Sequence, residues 1–177
     1  MAHQGQSIHN PDTGQRMTFM TLTEDALELT SANPPTERAE PRHMHPNQES
    51  GAHVHSGCLT FEVEGEERRV GPGGSITIPA GAVHTFWNQG PEEAHSTQSF
   101  RPALRTAEFF ETYFALAASG EVDDEGMPGL LQLAVMVPEF GDEMRVTRPP
   151  WPLQRALAAV LGPIGRRRGY RATRELA

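Results

Sequence analysis

Through the first hundred residues apolar and polar positions alternate in short runs. After Arg101-Pro102 the apolar positions recur at helical spacing instead. The alternation predicts strands at 16–22 and 26–30, then a break at Ser31-Ala32-Asn33-Pro34-Pro35. Further strands are expected at 59–64, 68–70, 75–78 and from His84 onward, with a hairpin turn at Gly65-Glu66-Glu67. Compact turns at Gly71-Pro72-Gly73-Gly74 and Pro79-Ala80-Gly81-Ala82 keep the strands short. Turn signals about every ten residues indicate an all-β sandwich or barrel. Beyond it, 104–118 has no Gly or Pro and predicts a helix, with two more at 130–137 and 151–161 between Pro-punctuated gaps.

These patterns divide the chain into a flexible leader at 1–15, a β-barrel at 16–102 and a helical extension at 103–177, packed on the barrel or on a dimer partner. The wide apolar face around Phe109, Phe110, Tyr113 and Phe114 must be covered by something. A length of 177 residues fits one core. The abundance of Gly (17) and Pro (15) suits short strands better than a helical bundle.

A formal charge of −8 argues against nucleic acid as a partner. The one basic run, Arg166-Arg167-Arg168 with Arg171 and Arg174, is expected to be a solvated or oligomer-contacting tail. Cys58 has no partner cysteine in the chain, the first residues lack a secretion-signal pattern, and no stretch is apolar enough to span a membrane. A cytoplasmic protein without a membrane partner is the expectation.

Six of the eight histidines fall between residues 43 and 95. His43 and His45 are two apart, so on a strand both rings leave one face. His84 arrives from a later strand and Glu49 lies just downstream of the pair. Imidazole and carboxylate donors of this kind suit Fe, Mn, Ni, Zn or Cu. Phe86 shares the parity of His84, and with Met44 and Phe61 is expected to line a pocket for a small organic molecule. His53 and His55 are expected to point outward if the register is set by Gly57, with Ala52 and Val54 inward.

His43-Met44-His45-Pro46-Asn47-Gln48-Glu49, followed by the 71–84 segment Gly-Pro-Gly-Gly-Ser-Ile-Thr-Ile-Pro-Ala-Gly-Ala-Val-His, resembles the two signature motifs of the cupin superfamily. The resemblance covers about residues 38–100. It implies a small jelly-roll barrel with one divalent transition metal ion held by His43, His45, Glu49 and His84. Counting back from Gly57 puts Ser50 rather than Glu49 at the carboxylate position, so either Glu49 is a ligand or Ser50 or water completes a three-histidine site. If it is not a ligand, Glu49 is the candidate catalytic base. The leading expectation is a metal-dependent oxygenase of dioxygenase type, an oxidoreductase acting as a homodimer on an aromatic or polyketide-like molecule. An isomerase or cyclase using pocket histidines, and a non-catalytic ligand-binding cupin, are the alternatives.

Overall fold

The structure, a computed structural model, describes residues 2–175. The described residues form eleven strands and three helices. One antiparallel sheet is formed by β1 (Ser7–His9), β2 (Arg16–Leu22), β3 (Leu27–Asn33), β10 (Ala94–Arg101), β5 (Glu49–Ser56) and β8 (Ser75–Ile78), in that spatial order. The second has the order β11 (Arg145–Val146), β4 (His43–Met44), β9 (His84–Trp87), β6 (Leu59–Val63) and β7 (Glu66–Val70). The arrangement is a jelly roll whose barrel is not closed. Among the described residues no helix is long and apolar enough to cross a membrane.

Alternation explains which side chains face inward. Along β5 the even positions Ser50, Ala52 and Val54 are buried while Glu49, His53 and His55 are exposed. Val54 joins Leu59, Phe61, Val70, Ile76 and Ile78 in one apolar cluster to which both sheets contribute. The β6–β7 hairpin turns at Glu64-Gly65, one residue earlier than the pattern implied. Both residues have positive φ (51° and 85°), as a two-residue hairpin turn of the primed type requires.

Two expectations about the ends of the barrel are corrected. The leader is not loose: Ser7–His9 pairs with β2, and Ile8 is buried beside Phe19 and Leu27. The strand β3 runs through Ser31 and Ala32 to Asn33, because β10 pairs with it along that whole length. In the basic run Arg166, Arg167, Arg168 and Arg171 are exposed, as a solvated tail would be, while Arg174 is tied back: its backbone N–H donates to Thr112 Oγ1 (3.1 Å) and its guanidinium pairs with Glu121.

The helices α1 (Thr106–Ala118), α2 (Leu130–Phe140) and α3 (Trp151–Arg167) form where the periodicity placed them, the last two running longer. Ala107, Phe110 and Phe114 of α1 pack onto Ile8, Met17, Phe19, Leu27, Leu29 and Phe100 of the larger sheet. The helix therefore completes the barrel's own core. Gln48, fully buried, fastens this junction: its Nε2 donates to the carbonyls of Pro102 (2.7 Å) and Ala103 (2.9 Å), with Thr106 Oγ1 at 2.7 Å. On the far side α3 approaches α2 closely, since a Cβ at Gly165 would lie 2.9 Å from the Leu131 carbonyl oxygen.

Truncating Phe114, 1% exposed at the joint of α1 and the sheet, should therefore unfold more than a local helix. Phe114→Ala is expected to cost about 3–5 kcal/mol of global stability by urea denaturation, with sheet and helix signals lost in one transition.

Candidate metal centre

Two short strands bring three imidazoles together. His43 and His84 face each other directly across the antiparallel β4–β9 pair, their ring centroids 4.3 Å apart. His45 follows two residues after His43 on the same face, 5.2 Å from each of the other two rings. One nitrogen from each ring lies within 4.8 Å of the others, and all three residues are buried.

Backbone carbonyls determine which nitrogens those are. His43 Nδ1 bonds to the Pro41 oxygen (2.8 Å), His84 Nδ1 to that of Ala82 (3.0 Å) and His45 Nδ1 to that of Glu143 (2.6 Å). A carbonyl can only accept, so each Nδ1 carries the hydrogen and each Nε2 is left with an unprotonated lone pair. The 79–84 turn supports this from both sides. The Gly81 N–H, at a φ of 80° that suits glycine, donates to the His45 carbonyl (2.8 Å), while Ala82 supplies the acceptor for His84.

Electrostatics acts in the same direction. Burial, and then the neighbouring His84 and His45, hold His43 well below the ordinary imidazole range. Burial likewise lowers His84, and lowers His45 to about 4 against the opposing pull of the Glu143 carbonyl. Three neutral imidazoles with carbonyl-fixed Nδ1–H groups and converging Nε2 lone pairs are a donor set that fits a transition metal ion.

Glu49 is not among them. It is exposed on the outer face of β5, opposite Arg101, and the structure does not bring it to the histidines. Ser50 faces inward and lines the same small cavity, as the count from Gly57 implied. The reason is the Gln48 anchor, which sets the point at which the chain enters β5 and so decides the parity after it. Met44 also turns away from the cavity, because it alternates with His43. Phe61 and Phe86 do line it, stacked as cross-strand partners with centroids 5.5 Å apart. His53 and His55 lie outside, bonded to Ser75 Oγ and Thr97 Oγ1.

The helical extension reaches into the centre. The two-residue strand β11 pairs with β4, the preceding Glu143 supplies the carbonyl for His45, and Met144 lines the histidine cavity. That cavity holds about 40 Å³, room for an ion and a few waters. A second cavity of about 110 Å³ lies between the barrel and the helices, and the two share Glu40, His43, Phe110 and Met144 as walls. Glu40, absent from the sequence expectations, is pinned to β9 by its N–H to the Phe86 carbonyl (3.2 Å) and by Thr85 Oγ1 on its own carbonyl (2.5 Å). Burial pushes its carboxyl up to about 7, against the Gln15 amide and the Arg38 charge.

The cupin-domain family matches residues 32–97, a span holding all three histidines and both motifs. Residues 32–97 are a cupin domain. The barrel is similar to several solved cupin-fold structures. KdgF from Halomonas sp. is 22% identical with a TM-score of 0.47, over 50% of this chain and 79% of that one. An RmlC-like cupin from Shewanella frigidimarina is 17% identical (TM-score 0.48), over 54% and 83% of the respective chains. A sugar phosphate isomerase from Silicibacter pomeroyi is 18% identical (TM-score 0.49), over 56% and 72%. No curated protein matches this chain. Its helical extension lies outside the family match, although Glu143 and Met144 belong to the site.

Two outcomes follow for the cupin centre. His84→Ala is expected to lower bound transition metal, measured by elemental analysis, from about one equivalent to under about a tenth, while Glu49→Ala leaves it unchanged. In chelator-treated protein the lowered pKa of His45 carries a stability cost on the acid side. The unfolded chain protonates near 6.5 and the folded one only near 4, so the unfolded state binds more protons in between. The stability advantage of wild type over His45→Asn should then shrink as pH falls from 6.5 to 4, by up to about 3 kcal/mol in urea titrations.

Proposed function

We propose that this cupin is a mononuclear metal-dependent oxidoreductase that oxidises a small organic molecule with dioxygen. The observation behind the reading is the set of three neutral, carbonyl-oriented imidazoles in a cavity that Glu40 also lines, bordering a second, apolar cavity. His43, His45 and His84 would hold the ion, and Fe, Mn, Ni, Zn and Cu all accept such donors. Bound there, the ion supplies Lewis acidity and exchangeable coordination positions.

The chain's own groups do the rest. Phe61, Phe86 and Phe100 keep the histidine cavity apolar, which limits bulk water around the reacting atoms. Ser50 and Gln98 offer it hydroxyl and amide groups for hydrogen bonding. Glu40, with a near-neutral carboxyl on the wall shared with the second cavity, is placed to exchange a proton with a bound molecule.

Glu40 also favours a second reading, isomerisation by proton transfer. The histidines fit that role poorly, since burial makes His45 too weak a base near neutral pH. Oxygen-electrode assays on metal-loaded protein with a panel of monocyclic phenols separate the two. Substrate-dependent oxygen uptake, lost by at least about a hundredfold in His84→Ala and retained in Glu49→Ala, is the expected result. Turnover that continues in anaerobic buffer would favour the isomerase. Activity intact in His84→Ala, with under about a tenth of an equivalent of metal bound, would overturn both metal-based readings.

A further inference from the structure

The 110 Å³ cavity has walls of one character. Phe109, Phe110, Tyr113 and Phe140 contribute rings, and Met127 and Met136 contribute thioethers. Thioethers and ring edges favour an aromatic occupant, and the volume is near the roughly 150 Å³ that accommodates a benzene ring in an apolar protein cavity.

The polar groups on these walls are almost all committed elsewhere. Tyr113 donates its hydroxyl to the Gly126 carbonyl (2.9 Å). Gln154 Nε2 donates to the carbonyls of Val146 (2.8 Å) and Pro149 (2.6 Å), and Gln15 Nε2 to Asn33 Oδ1 (2.8 Å). His43 gives its Nδ1–H to Pro41 and turns Nε2 toward the other imidazoles. The nearby Arg38 guanidinium is held by Asp12 and by the Asp124 carbonyl, both at 2.5 Å. The Glu40 carboxyl remains. It offers about four lone-pair sites, of which the adjacent Gln15 amide can satisfy only part.

The geometry points to this chamber as the binding site of a neutral single-ring molecule bearing a hydroxyl, with the Glu40 carboxyl as the group that recognises the hydroxyl. An apolar ring fills the box, and the hydroxyl adds a donor to the half-buried Glu40 carboxyl beside that of Gln15. An anionic head group is rejected, because no uncommitted cation faces the chamber among the described residues while a carboxyl does. The shared walls place the ring beside His43. As a substrate assignment the inference rests on the proposed function, but binding itself needs no metal.

The test is calorimetric titration of chelator-treated full-length protein at pH 8 with 4-methylphenol, toluene and 4-methylbenzoate. The expected result is 4-methylphenol at least about tenfold tighter than toluene, with 4-methylbenzoate undetectable. Glu40→Met should abolish the preference and keep toluene within about twofold; Glu40→Gln, which retains an acceptor oxygen, should keep part of it. Leu133→Trp, filling the chamber, should remove binding of both. Melting curves check that each variant folds, and Glu40→Gln carries the comparison if Glu40→Met does not. Equal affinities, a preference untouched by Glu40→Met, binding that survives Leu133→Trp, or no binding of any probe would each overturn the inference. Wild type that binds 4-methylphenol yet purifies without metal loses only the metal-enzyme reading. Protein that holds metal and ignores 4-methylphenol loses only this one.

Discussion

A carbonyl oxygen accepts hydrogen bonds and never donates them, and that asymmetry governs the centre of this protein. Because Pro41, Ala82 and Glu143 each present a carbonyl to an Nδ1, the three rings share one tautomer and direct their remaining lone pairs to a common point. Without those carbonyls, the buried rings would be free to bond with one another, Nδ1–H of one to Nε2 of the next, and would form a self-satisfied cluster of little use to an ion. The carbonyls prevent that pairing at no cost in charge, and burial then keeps protons away. Apolar neighbours such as Phe61, Phe86 and Phe100 have a chemical effect here as well as a packing one.

The same economy explains how the fold is divided. The small sheet covers only part of the large one, and α1 covers the rest, so Phe110 belongs at once to the sheet core and to the walls of both cavities. Helix and barrel cannot be separated without opening the site. Glu40 is held in the same way, by backbone bonds to β9 that fix its place whatever its carboxyl does.

How much of this was legible in the sequence depended on whether a feature repeats. Strands with period-two alternation and the two cupin motifs were readable, because each is a pattern carried by side chains. The choice between Glu49 and Ser50 was not, since it turns on a single residue of parity across an irregular stretch. That parity is set by Gln48 gripping residues far ahead in the chain. Glu40 lies in a segment with no period at all, so nothing marked it as inward. The part played by Glu143 in orienting His45 was invisible in principle: it acts through a carbonyl that every residue possesses. The strand β11, at two residues, is too short to leave a pattern.

The bond between His45 and Glu143 spans 98 positions of chain. During synthesis the barrel strands emerge first and can pair while this acceptor is still unmade. Until the ribosome has delivered Glu143 and the residues that hold β11 against β4, the His45 ring is free to rotate, and the nascent barrel has only two oriented imidazoles. An ion held by all three imidazoles would therefore depend on residues far downstream of the barrel strands.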